Sequence, residues 1–372
     1  MRDNFKKWMM PIILIFIIPQ LINLIACFMM NDKQLKDIPM AVYMGDQTSL
    51  TRQIVKSFDD TETFEIVAYT DSASEVEASM ARGETVFGLV IPKDFTKDLK
   101  KMKSPTLVTV VDGTQLSTAA FTKLQSTEIL LTTKIGAMVN AFKGKFSLST
   151  VEALNTARPI AINSRVIGNP TRNYINFLMP GLMASLIQVG LVMSTASITA
   201  PERFEPSAFR KDYLKKLGVF TLAGTGSILF ILGVQALLFQ VPAKGGIIGL
   251  TALTLLFTGA VVSLSMMLST FFKNKVFATQ VAAVYFIPSS IIGGYTWPVV
   301  AMPGPIQKLS TIMPFTYFGD FVRAWMLQGE FTAYGRNAAV CFLMIGVAVL
   351  ASFIFQKMVT SKIIGEAMVL EN

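Results

Sequence analysis

Six stretches of the chain carry no charged residue: Trp8–Met30, Asn173–Pro201, Leu217–Ala243, Gly245–Phe272, Val276–Gln307 and Asn337–Gln356. Crossing a bilayer core as a helix takes about 20 apolar residues, so each stretch predicts a membrane span. Pro242–Gly246 reads as a tight turn joining the third and fourth. Between the first and second stretches the pattern alternates strand and helix signals. Met40–Met44, Phe64–Tyr69, Val86–Ile91 and Leu107–Val111 are short apolar runs that predict strands. Thr48–Phe58 puts Leu50, Ile54 and Val55 on one helical face. Ser72 with Glu75 has the spacing of a capping box for a helix ending at Gly83. Pro92 is placed to open a short helix through Leu99, and Ala119–Phe142 is a long helical stretch. Strands alternating with helices predict an α/β domain on a largely parallel sheet.

Composition sharpens this picture. The chain is 52% hydrophobic and 15% charged, where soluble domains hold about 25% charged residues. Residues 31–172 carry 17 Lys/Arg against 16 Asp/Glu, and everything else carries 16 against 8. The net charge of +9 therefore belongs mostly to the membrane part, which argues against nucleic acid as its explanation. Lys and Arg in short loops set orientation. With the N-terminus inside, Arg2, Lys6, Lys7, Arg203, Arg210, Lys211, Lys215, Lys216, Lys273, Lys275, Lys357 and Lys362 are cytoplasmic. Lys244, Lys308, Arg323 and Arg336 lie opposite. That asymmetry predicts both termini inside and 31–172 outside. The first stretch follows Arg2, Lys6 and Lys7 as a signal peptide would. Its uncharged length exceeds a signal core and no small-residue cleavage site follows, so a retained anchor is expected.

Candidate chemistry is sparse. There is no His, hence no imidazole base or ligand, and no metal or cofactor site is expected. Cys27 and Cys341 both sit in apolar runs and predict buried hydrophobes rather than a disulfide. Asp112-Gly113-Thr114 reads as a turn. A phosphate-binding loop needs G-x-x-x-x-G-K-[ST]; Lys143-Gly144-Lys145 lacks its second Gly and hydroxyl, so ATP hydrolysis is not expected on this chain. The apolar runs lack the ionisable groups that ion-coupled carriers place in the membrane.

Two segments invite a mechanistic reading. Val276–Gln307 is too long and too broken for one straight helix, with Pro288, Gly293, Gly294 and Pro298 interrupting it, Pro303 and Pro305 closing it and Pro314 following. Such backbone at membrane depth survives only where protein or a water-filled cavity covers it. It is either a re-entrant outer gate or a kinked span with an interfacial loop. Tyr295, Trp297, Tyr317, Phe318 and Trp325 are expected at the interface as an aromatic belt, and Asp320 with Arg323 as an i,i+3 pair. Pro201–Lys216 is either a positive-inside loop or a short helix that docks on a partner.

The wording of these segments resembles the ABC-2 type permease family, in its branch with a large extracytoplasmic domain after the first span. The similarity runs through KDIPMAVYMGDQTSLTRQIVKSF (36–58), GETVFGLVIPKDF (83–95), VVDGTQLSTAA (110–120), NPTRNYINFLMPGL (169–182) and SSIIGGYTWPVVAMPGPIQKLSTIMPFTYFGDFVRAWMLQGE (289–330). One departure is the loop after the second span, where Glu202-Arg203 match the family but Pro206-Ser207 replace its Gly-Thr. The resemblance implies a polytopic α-helical protein of the bacterial inner membrane with six transmembrane helices. It divides into 1–30, an extracytoplasmic α/β domain at 31–172, and the remaining helices at 173–372. It implies the permease subunit of an exporter for an amphipathic substrate such as a lipid, lipid-linked glycan or hydrophobic drug. A separate ATP-binding-cassette ATPase, a second permease chain, identical or not, and a periplasmic adaptor are the expected partners. Glu202, Arg203, Glu205, Arg210 and Lys211 become candidates for ATPase coupling. Gly293, Gly294, Pro298, Pro303, Pro314 and Tyr317 become candidates for the outer gate. A membrane-anchored receptor or assembly factor, and a secondary transporter, are rival uses of the same scaffold.

Overall fold

A computed structural model describes residues 11, 13–30, 35–101, 103–158, 166–199, 206–272 and 274–370, side chains within 206–210 and 362–370 excepted. The chain divides into two compact units, Gln34–Ser164 and the remainder.

The smaller unit is an α/β sheet domain. Strands β1 (Ile38–Met44), β2 (Phe64–Thr70), β3 (Phe87–Ile91) and β4 (Val108–Val111) lie in the order β2-β1-β3-β4. β1 pairs parallel with both β2 and β3, while β4 runs antiparallel to β3. The inner strands β1 and β3 are the near-continuous apolar runs, because both their faces are covered. Edge strand β2 alternates. Phe58, Phe64 and Phe87 meet in the core at ring separations of 4.8–5.8 Å. Helix α2 (Ser49–Asp59) starts on a capping box at Thr48. At α3 (Ala73–Ala81) only half of the expected box forms: the Glu75 N–H donates to Ser72, but the Glu75 carboxylate turns to Arg82 at 2.8 Å. The helix expected from Pro92 begins later, as α4 (Phe95–Lys100), because residues 92–94 form the turn leaving β3 and Asp94 takes a left-handed φ of 60°. Helix α5 (Leu116–Phe146) is longer than expected, at 31 residues. Helix α6 (Thr150–Ala157) was not anticipated, although Ser149 and Glu152 form a full capping box, the bonds from Ser149 holding the Glu152 carboxyl below its ordinary pKa.

The larger unit is helical. Helix α1 (Ile13–Met29) opens with a π segment over Ile13–Ile17. Pro19 has no N–H to offer the Ile15 carbonyl four residues earlier. The Ser227 hydroxyl donates to that carbonyl at 2.6 Å instead. Then follow α7 (Tyr174–Thr199), α8 (Pro206–Leu238), α9 (Ile247–Thr270), α10 (Lys275–Phe286), α11 (Ser289–Ile292), α12 (Gly304–Ser310), α13 (Phe315–Gln328) and α14 (Tyr334–Leu370). Among the described residues five helical stretches are long and apolar enough to cross a membrane: Tyr174–Thr199, Lys211–Leu238, Ile247–Thr270, Lys275–Ile292 and Tyr334–Ser361. Helix α1 is apolar but shorter, and the start of its expected stretch lies outside the described residues. Phe342, Leu343, Val347, Leu350, Ile354 and Met358 of α14 point outward, the inversion expected of a helix solvated by lipid.

Between these helices buried polar groups pair with one another, since a bilayer interior supplies no water. Gln235 donates to Asn23 at 2.8 Å, Thr195 to Ser265 at 2.8 Å, and Tyr213 lies 3.0 Å from the Ser352 hydroxyl. Cys27 and Cys341 are buried and free.

Candidate functional site

Pro288 supplies no N–H, and helix α10 stops at Phe286. Gln188 of α7 crosses to this break and donates its amide to both the Phe286 carbonyl and the Ser289 hydroxyl. The single turn of α11 ends in a turn at Gly293 and Gly294. Gly294 adopts φ 93°, a left-handed conformation that strains any residue with a Cβ. Pro298, Pro303 and Pro314 each occupy the cap position of a following short helix: a 3-10 turn at Val299–Ala301, then α12, then α13. The broken backbone expected over 276–307 is therefore real; two of its prolines, and Pro314 after it, act as starters of new helices.

The turn is fixed to α7 at a second proline. Pro180 lies inside that helix and interrupts its ladder. The Tyr295 hydroxyl reaches this point: it accepts from the Gly181 N–H (2.9 Å) and donates toward the Phe177 and Leu178 carbonyls (3.0 and 2.9 Å). Gly181 has to be glycine here, because a Cβ would collide with the Tyr295 ring. Arg323 of α13 completes the clamp. Its Nε donates to the Phe177 carbonyl (3.0 Å) and its Nη2 to the Tyr295 carbonyl (2.7 Å). Its guanidinium lies 4.2 Å from the Phe177 ring centre and 3.9 Å from that of Tyr295. Asp320 sits 3.7 Å away, so the expected i,i+3 pair forms but is the looser of the arginine's contacts.

Tyr295 and Phe318 were expected at the membrane interface and are instead buried, at 2% and 0% exposure. Tyr295 has the helix ladder to satisfy its hydroxyl, and Phe318 stacks 4.2 Å from Phe257. Trp297 is half exposed, as an interfacial residue can be. Trp325 donates its indole N–H to the Gly246 carbonyl at 3.0 Å. Tyr317 lies apart from the clamp: its hydroxyl donates to the Thr311 carbonyl (2.7 Å) and its carbonyl accepts from Asn337 (2.8 Å). The structure thus brings Gly293 against Phe315 and Thr316 of α13, sets Gly294 next to the clamp residue Tyr295, and leaves Tyr317 beside α14. Phe177, Pro180, Gly181 and Gln188 were not anticipated. A Pro-Gly pair inside an apolar span was the signal that could have found them.

An apolar recess of about 410 Å³ lies beside the broken span, between α9, α10 and α14, lined by Leu264, Leu268, Tyr285, Ile312, Leu343 and Val347 among others. At the other candidate segment, Glu202, Arg203 and Glu205 lie outside the described residues, as does the Arg210 side chain; Lys211 is exposed. Pro206 opens α8, which continues unbroken to Leu238. From Pro206 onward, then, no separate short coupling helix forms; the basic residues ride the first turns of the spanning helix.

The profile of the ABC-2 family transporter proteins matches residues 7–206 and 213–354. The chain belongs to this family. Two probable multidrug ABC transporter permeases of Escherichia coli strain K12 are similar to it. YbhS is 25% identical over 272 residues, which cover 70% of this chain and 69% of the relative. YbhR is 20% identical over 328 residues, 84% of each chain. The ABC transporter G family member 20 of Dictyostelium discoideum is 30% identical over 219 residues, 54% of this chain but 28% of that protein. No solved structure matches. The chain is an ABC-2 type permease, the membrane subunit of an ABC transporter and a multi-pass membrane protein.

Proposed function

We propose that this permease forms the export path for an amphipathic substrate, with ATP hydrolysed by a separate ATP-binding-cassette subunit and a second permease chain completing the path. In this reading α1 is a sixth span, both termini are cytoplasmic, and the sheet domain faces outward across a bacterial inner membrane. The observation that carries the reading is the broken span. Its turn is covered by α7 and α13 through Tyr295 and Arg323, as backbone at membrane depth requires. Gly293 and Gly294 form the tip of an outer gate whose closed position the clamp holds. The apolar lining of the adjacent recess and the multidrug relatives favour a hydrophobic or amphipathic cargo over a sugar or ion. Residues 201–216, with Glu202 and Arg203 at their head, are the contact through which the ATPase acts.

The test is flux. The permease, co-purified with its ATPase and reconstituted in liposomes, should move a fluorescent lipid or dye only when ATP is present. Movement driven by a proton or sodium gradient without ATP would make it a secondary transporter. An ATPase-bound complex that moves nothing would favour a receptor or assembly role.

A further inference from the structure

The sheet domain carries an open cleft of about 840 Å³, lined by Met44–Thr48 on one side and by Lys93, Asp94, Thr96, Lys97, Lys100 and Lys101 on the other. Its place follows from the topology. β1 and β3 are adjacent and parallel, yet the chain leaves β1 through α2 toward β2 and leaves β3 through α4 toward β4, on the opposite side. The two outgoing loops therefore part at the carboxyl ends of these strands. In open α/β sheets that divergence makes a crevice where ligands bind.

The floor of this crevice is fixed in advance. The Gly45 N–H donates to the Ile91 carbonyl at 2.8 Å, and a Cβ on Gly45 would lie 2.8 Å from the Lys93 nitrogen, so the loops touch through backbone. Asp46 accepts the Thr96 N–H at 2.6 Å, and the hydroxyls of Thr48 and Thr96 lie 2.7 Å apart. Both carboxylates of the cleft are thus engaged, Asp46 by Thr96 and Asp94 by Lys97 at 3.3 Å. Lys93, Lys100 and Lys101 form no ion pair among the described residues. Thr96, Lys97 and Lys100 lie on α4 and Lys101 caps its end, and all four line the same opening.

We propose that this cleft binds an anionic ligand of the phosphate class, a pyrophosphate or phosphodiester group, held by Lys93, Lys100 and Lys101 over the two threonine hydroxyls. Three unpaired cations around one opening suit a group that spreads negative charge over several oxygens. A single carboxylate would use only one of them.

The experiment uses the full chain in nanodiscs of phosphatidylcholine, titrated calorimetrically with pyrophosphate and with glycerophosphoglycerol, a lipid headgroup without its chains. Saturable binding that weakens with salt is expected. The triple variant Lys93→Gln, Lys100→Gln, Lys101→Gln should bind at least about tenfold more weakly, since each exposed charge contact contributes modestly. A control, Lys123→Gln, Lys134→Gln, Lys143→Gln, removes the same charge from α5 and should bind like wild type. Tighter binding of glycerophosphoglycerol would assign the site to lipid headgroups, and tighter binding of pyrophosphate to free phosphates. Absence of saturable binding by wild type, equal loss in the control, or hexaglutamate binding as tightly as pyrophosphate would each overturn the proposal.

Discussion

Tyr295 shows how one hydroxyl can decide the shape of a membrane protein. In water, backbone groups loosened beside Pro180 would be solvated; between packed helices they need a protein partner, and the buried phenol supplies one to Gly181, Phe177 and Leu178. Tyr295→Phe keeps the ring and removes the bonds at Gly181, Phe177 and Leu178. Leaving a buried group unsatisfied costs about 1–3 kcal/mol, so the variant should unfold at a lower temperature in detergent with its helix content unchanged. Gly181→Ala should destabilise at least as much, because the new methyl displaces the ring itself. Unchanged unfolding temperatures for both would show that the clamp contributes nothing. Much of this junction was hidden in the sequence. Arg323 was legible as a charge beside Asp320, but its stronger partners are a carbonyl 146 residues away and two rings. Periodicity does not report contacts between elements so distant in the chain. Tyr295 was misplaced for a related reason: amphipathic rings default to the interface, and only the position of α7 shows that this one has a polar partner inside.

Elements were more legible than their ends. Inner strands β1 and β3 follow from near-continuous apolar runs because burial on both faces needs no alternation, and their parallel pairing, with β2 beside β1, follows from the intervening helices; β4 departs, pairing antiparallel to β3 although α4 stands between them. Boundaries slipped where local backbone geometry decided them, as at Asp94, whose left-handed conformation delays α4. The segment 201–216 illustrates the same limit. Its charge pattern left a positive-inside loop and a short docking helix both open, whereas Pro206 is compatible with a first helical turn and the apolar residues beyond it carry the helix on to Leu238. Residues 206–216, being continuous with a spanning helix, would transmit a push along its axis. Losing a buried partner at such a contact can cost about 2–5 kcal/mol. Exchanging the charges, Glu202→Lys with Arg203→Glu, should therefore leave folding and insertion intact while lowering substrate-stimulated ATP hydrolysis of the assembled transporter. If hydrolysis and retention of the ATPase subunit both stay unchanged, the segment serves only to orient the chain.

At the scale of the whole molecule, the two units answer to different solvents. Gln34–Ser164 has near-balanced charge, an apolar core of its own and capped helices; expressed alone it should be soluble and give a mixed helix–strand circular dichroism spectrum. A random-coil spectrum would mean that the spans are needed to fold it. The other unit turns apolar side chains outward and buries hydroxyls and amides. Which side of the membrane each loop occupies rests on the distribution of Lys and Arg, a kinetic rule of insertion rather than a packing energy. Labelling tests it directly. With Cys27 and Cys341 replaced, single cysteines at Ser104 in the sheet domain and Ser207 at the start of α8 should differ. A membrane-impermeant thiol reagent, added to intact cells with a permeabilised outer membrane, should modify position 104 and spare 207. Modification of 207 alone would invert the topology: the sheet domain and its cleft would then face the cytoplasm, and residues 201–216 could not meet a cytoplasmic ATPase.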